Sequence, residues 1–184
     1  MSLPKYKYLL TYRYAEIIYD LNVEFCKRYI EKFSRTYDQM IQAGRSGKQN
    51  IVEAVGESDT TKKGEIKLLG ISKGSFEELL ADYEDYLRQH DLPIYPKTGA
   101  RVTAFRRKAY QLSNLRNLSH FGNLIEKPVL PALPTNATNF LLTLCHLETY
   151  LLDKQIKSMI AKFESEGGFS ENLLKKRLNH QNRI

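Results

Sequence analysis

Four histidines, two cysteines and a dense set of carboxylates are the side chains of this 184-residue chain that could carry chemistry, so their spacing decides what is open to it. His90, His120, His146 and His180 include no pair at the i, i+4 spacing that sets two imidazoles on one helical face, which excludes a zinc protease. The Glu-x-x-His motif that holds di-iron in helical bundles is absent. Cys26 and Cys145 are too few for a disulfide framework or a four-cysteine zinc site, and both read as small packed hydrophobes. Cys145 and His146 are neighbours, but adjacent helical residues point about 100° apart, so proximity does not make them a nucleophile and its base. No glycine-rich phosphate cradle of either common kind occurs. Glu77, Glu78, Asp82, Glu84 and Asp85 are dense enough to read as a solvated face rather than an acid/base pair. No catalytic residue, cofactor or metal site is expected.

Charge is the remaining chemical signal. Lys and Arg number 28 against 21 Asp and Glu, a net +7 with a sequence pI near 9.3, which favours an anionic partner. The surplus is uneven: residues 75–91 hold six acids and one base, whereas residues 92–117 hold six bases and no acid. Those two stretches either neutralise each other across a helix pair or leave a basic surface open.

The elements that must position these groups follow from hydrophobic period. Apolar residues recur at helical spacing from Tyr8 through Tyr12, Ala15, Ile18, Phe25 and Tyr29 to Phe33, giving a helix over 8–33. Ser34 is a candidate N-cap for a second helix over 34–56. The cluster Ser58-Asp59-Thr60-Thr61 starts a third over 60–90, which Pro93 and Pro96 stop. A shorter, basic helix is expected within 101–118. Pro128, Pro131 and Pro134 impose an extended connector. A long helix over 135–165 follows, striped by Phe140, Leu144, Leu147, Leu151, Ile156, Ile160 and Phe163 and closed by Gly167-Gly168. The fold class is therefore all-α: an up-down four-helix bundle over 1–166 with a basic helical insert at about 92–134 and a basic C-terminal tail over 167–184. The longest uncharged run, 128–147, holds three prolines and cannot span a membrane. With no apolar signal core at Met1–Tyr6, a cytoplasmic location is expected.

Gly44, Gly47, Gly64, Gly70 and Gly74 fall inside the second and third helices. Gly70 with Gly74, and Gly44 with Gly47, share faces on which another helix or subunit could come close, or are simply tolerated. Seven of the twelve tyrosines lie in the first 37 residues. They suit nucleobase stacking, but more naturally the core and a subunit interface.

Tyr37-Asp38-Gln39-Met40, Arg45-Ser46, Asn50-Ile51-Val52-Glu53, Glu65-Ile66-Lys67-Leu68-Leu69 and Gly74-Ser75-Phe76-Glu77-Glu78-Leu79 resemble, in order and spacing, the bacterial four-helix-bundle proteins encoded by intervening sequences in large-subunit ribosomal RNA genes. Leu151-Leu152-Asp153-Lys154-Gln155 with Glu166-Gly167-Gly168-Phe169-Ser170 is similar to the suffix of a subset of them. Ala54, where the family often has glycine, and the insert are departures. The resemblance implies a homopentameric ring and a basic surface for nucleic acid, either RNA or DNA.

The bases that agree with such a surface gather at Arg45, Lys48, Lys62, Lys63 and Lys67, around the joint of the second and third helices, and at Arg101, Arg106, Arg107 and Lys108. Two functions of different class stand: a non-enzymatic, oligomeric nucleic-acid-binding protein with little base specificity, and a protein-interaction scaffold whose bases pair with the acidic third helix. Whether residues 101–108 are engaged by Asp82, Asp85 and their neighbours discriminates the two.

Overall fold

The computed structural model describes residues 3–58 and 61–166, with residues 174, 177 and 178 beyond them; the expected glycine stop at 167–168 and the rest of the basic tail lie outside the described residues. It contains five α-helices and no strand among the described residues: α1 Leu10–Tyr29, α2 Arg35–Glu57, α3 Lys62–Gln89, α4 Ala100–Ser113 and α5 Pro134–Glu166. No described helix is long and apolar enough to cross a membrane.

The helix ends are set by local chemistry. α1 stops at Tyr29 rather than at 33, because Ser34 needs an extended approach to accept from Tyr37 N at 3.2 Å as the N-cap of α2. Phe33, read as part of the apolar stripe, consequently lies 91% exposed. Thr61 caps α3 by accepting from Gly64 N. At the far end of α3, Asp91 takes a left-handed φ of 53°, and Leu92 N donates to Leu87 O at 2.9 Å. This reversal ends the helix before the prolines are reached. α4 closes at Ser113, earlier than expected, because Asn114 turns extended and caps the short 3₁₀ turn Leu115–Asn117. Pro134 occupies the first position of α5, where its missing N–H is harmless.

α1 packs on α2 and α5, and α3 packs on the same two, so these four helices form the bundle while α4 lies outside against α5 and α1. Named atom pairs join them. Asn22 meets Met40 and Tyr19 meets Gly44 between α1 and α2; Ser72 meets Gly47 between α3 and α2; Thr11 meets Gln155 between α1 and α5. The core holds Phe25, Ile18 and Leu21 from α1, Met40 and Ile51 from α2, Phe76, Tyr83 and Leu87 from α3, and Leu141, Leu144 and Leu152 from α5. Both cysteines are buried in it, and burial with the Asp82 charge pushes the Cys26 thiol up to about 12. The buried stripe of α5 runs through Leu141, Leu144, Cys145, Glu148 and Leu152, rotated from the expected one, so that Ile160 is partly exposed.

The glycines divide. A Cβ at Gly47 would stand 2.6 Å from the Phe76 ring, so this position is where α3 comes close; at Gly70 and Gly74 nothing lies within 4 Å.

Candidate nucleic-acid interface

The basic insert is held to the bundle through α4. Val102, Ala109 and Leu112 bury one face, and Phe105 packs on Phe140 of α5 with ring centroids 5.2 Å apart. The C-terminal end of α4 is clamped by Arg13 of α1, whose buried Nε donates to Ser113 O at 2.6 Å while Nη1 donates to Lys7 O. A cation on the last carbonyls of a helix also meets the negative end of its dipole. The loop ahead of α4 is tied down by Tyr95, whose N–H donates to Asn139 Oδ1 and whose hydroxyl donates to Asn136 Oδ1. Behind α4, Asn117 donates to Leu112 O and Glu126 O and accepts from Glu126 N, closing the next loop.

This frame sorts the expected cations. Arg101 donates to the Tyr95 hydroxyl at 2.7 Å and lies over its ring, so it acts as a brace. Lys108 forms an ion pair with Glu126. Arg106 and Arg107 are exposed and make no ion pair among the described residues. Lys97, which sequence reasoning did not single out, lines the same side of α4 and is likewise exposed.

The expected cluster at the α2–α3 joint does not assemble. Arg45 lies twelve residues before Glu57, about 18 Å along the helix from the joint at 1.5 Å per residue. Lys48 turns toward α1, its Nζ 4.5 Å from the Tyr19 ring centroid. Only Lys62, Lys63 and Lys67 sit at the joint, and Lys62 pairs with Glu65. They lie 17 to 22 residues of α3 before Glu84, which lines a cleft together with residues of α4, so the two basic regions are about 25–33 Å apart.

The acidic face of α3 does not take up the bases of α4. Glu77 pairs with Lys73, which also reaches Asp153, and Asp85 pairs with Arg88 of its own helix. Asp82 is half-buried, and burial together with Glu78 and Asp85 raises its pKa.

Between α3, α4 and α5 lies a cleft of about 470 Å³ with an apolar floor of Val102, Leu142 and Leu147 and a rim of Glu84, Lys97, Arg106, His146 and Tyr150. Burial, then Lys97 and Arg106, lower the His146 pKa against the opposing pull of Glu84, which favours the neutral ring at pH 7. His146 thus faces the cleft while Cys145 faces the core. The spacing of four between His146 and Tyr150 is the sequence signal that could have placed both on one face of α5.

A second unexpected feature is Glu148, fully buried with neither carboxylate oxygen hydrogen-bonded; burial raises its pKa well above the usual carboxylate range. No group of three His, Cys, Asp or Glu side chains among the described residues could hold a metal ion.

No protein-family model matches the chain, and no curated protein or solved structure is significantly similar to it.

Proposed function

We propose that the protein is a non-enzymatic, homo-oligomeric nucleic-acid-binding protein of the cytoplasm that holds phosphates of RNA or DNA on the α4 side of the bundle, with little regard for sequence. The observation that carries this reading is that Lys97, Arg106 and Arg107 are exposed on a rigidly anchored element without acidic partners, while the acids of α3 are paired with other bases or left unpaired. Residues 92–127 carry seven bases and one acid, nearly the whole surplus of the chain. A scaffold that neutralised its own charges would pair these groups. Tyr110, 64% exposed and three residues after Arg107, adds an aromatic surface of the kind that stacks on bases.

Self-association belongs to the same proposal. The groove between α2 and α3 presents Gly74, Ser75 and the exposed Ile71, and a ring of five copies follows the family resemblance. A monomer mass by light scattering at micromolar concentration would count against that part. The binding reading is tested by fluorescence anisotropy with unrelated oligonucleotide sequences at 50 and 200 mM salt. Tight, sequence-blind binding at low salt that weakens steeply at high salt is expected. Absence of binding at low salt would favour the scaffold, for which the exposed Phe121 and Ile125 of the insert would be the contact surface.

A further inference from the structure

We infer that the cleft between α3, α4 and α5 takes one unpaired nucleotide of a bound strand, its base on the apolar floor beside Tyr150 and its phosphate at Lys97 and Arg106. The inference rests on the nucleic-acid reading and adds a preference for single strands to it. Three observations carry it. The cleft, at about 470 Å³, is within the usual range for small-molecule sites, about 300–1,000 Å³, and so admits a base with its sugar. Its polarity is divided: Val102 and Leu142 offer no hydrogen bonds, so a flat apolar group suits the floor, whereas the rim, with Lys97 and Arg106 against the single carboxylate of Glu84, keeps a net positive charge that suits an anion. Finally, Tyr150 stands 59% exposed at the edge, with Lys154 Nζ 5.6 Å from its ring centroid, which places an aromatic surface and a further cation where the strand leaves the cleft.

The neutral His146 ring presents one donor and one acceptor to the edge of a base. Asn139, by contrast, is already satisfied: its amide nitrogen donates to Pro93 O and Thr135 O, and its oxygen accepts from Tyr95 N. It positions the loop and does not read the ligand. A base inside a duplex would have to be unstacked and flipped to reach the floor, at a penalty of a few kcal/mol. The cleft therefore favours single strands, whereas the outward-facing Arg107 serves single and double strands alike.

The test compares a single-stranded 12-mer with its duplex on wild type, Tyr150→Ala and Arg107→Glu, all checked for unchanged helical content. Stacking on an aromatic side chain contributes about 1–3 kcal/mol per base. Tyr150→Ala is thus expected to weaken single-strand binding about thirtyfold, at the middle of that range, and to leave duplex binding unchanged. Arg107→Glu is expected to weaken both. Equal effects of Tyr150→Ala on the two ligands, or none on either, would overturn the cleft assignment while the basic-surface reading stands. Binding of neither ligand by wild type at 50 mM salt would overturn both.

Discussion

The Tyr83 hydroxyl donates a 2.7 Å hydrogen bond to Asn22 Oδ1 in the interior of the bundle, joining α3 to α1. Asn22 Nδ2 in turn donates to Met40 O of α2 at 2.7 Å, so one amide ties three helices together. Tyr83 also meets Phe25 edge-on, with centroids 5.3 Å apart. Apolar contacts tolerate a helix sliding by a fraction of a turn, whereas these two bonds do not. The relation therefore fixes register as well as contributing stability.

Tyr83→Phe keeps the ring and its packing but leaves Asn22 Oδ1 buried with one partner fewer. The Cys26 thiol remains as a weak donor to it at 3.7 Å, so a destabilisation of about 1 kcal/mol is expected, the low end of the penalty for an unsatisfied buried acceptor. Urea unfolding followed by circular dichroism would read it as a lower midpoint at unchanged native helicity. An unchanged midpoint would show that the bond adds nothing net.

Glu148 gives a pH dependence with a definite sign. Its folded pKa is raised by burial, so the stability it contributes is fully present below the unfolded value, near 4.5, and is lost as pH rises toward the folded value. Tyr14 and Cys145, which interact electrostatically with it, are themselves raised and stay neutral through that window. Across it the wild type should lose about 1.4 kcal/mol per pH unit relative to Glu148→Gln, which has no proton to lose. Below about pH 4.5, close to the reference pKa of glutamate, the difference between the two proteins should become constant. Parallel stability curves from pH 4 to 7 would contradict the neutral buried form.

The glycines predict opposite effects from one substitution. Gly47→Ala drives a methyl into the Phe76 ring, with 2.6 Å between the new Cβ and the nearest ring atom, and should destabilise by about 1–3 kcal/mol despite the better helix propensity of alanine. Gly70→Ala meets open space and should stabilise by up to about 1 kcal/mol. Thermal melts of the two variants should therefore move in opposite directions, and a rise for Gly47→Ala would refute the close approach.

That pair also shows where sequence reading reaches its limit. Period and caps locate the helices, since Ser34 and Thr61 act locally and the apolar positions repeat at a fixed interval. The same period cannot tell Gly47 from Gly70, because what differs is a ring delivered from another helix. Glu148 was concealed for a related reason: carboxylates normally lie outside, and its place in line with Leu141, Leu144 and Leu152 becomes a core position only once the rotation of α5 is known. The candidate interface was half legible. Arg106 and Arg107 stand out by charge density, whereas Arg101 and Lys108 look identical in sequence and are engaged by Tyr95 and Glu126. The cleft draws on three helices and a loop, so no local pattern announces it.

The basic regions at the two ends of α3 can be told apart by salt. If Lys97, Arg106 and Arg107 each neutralise one duplex phosphate, the log-log salt slope is about −2.7, and raising salt from 50 to 200 mM lowers affinity about fortyfold. Replacing Arg106 and Arg107 by glutamate leaves one contact, so the slope should fall to about −0.9 and affinity at 50 mM should drop steeply. The reversals Lys63→Glu and Lys67→Glu lie about 25–31 Å away along α3, about three Debye lengths at physiological salt, and should change affinity by about twofold or less. Each pair is exposed, so neither should disturb the fold, since surface substitutions usually alter stability by about 0.5 kcal/mol or less. Titrating both double variants with one duplex at several salt concentrations separates the regions. Should the α3 variant lose affinity and the α4 variant retain it, the interface would belong to the start of α3 and the cations of the insert would have to serve another purpose.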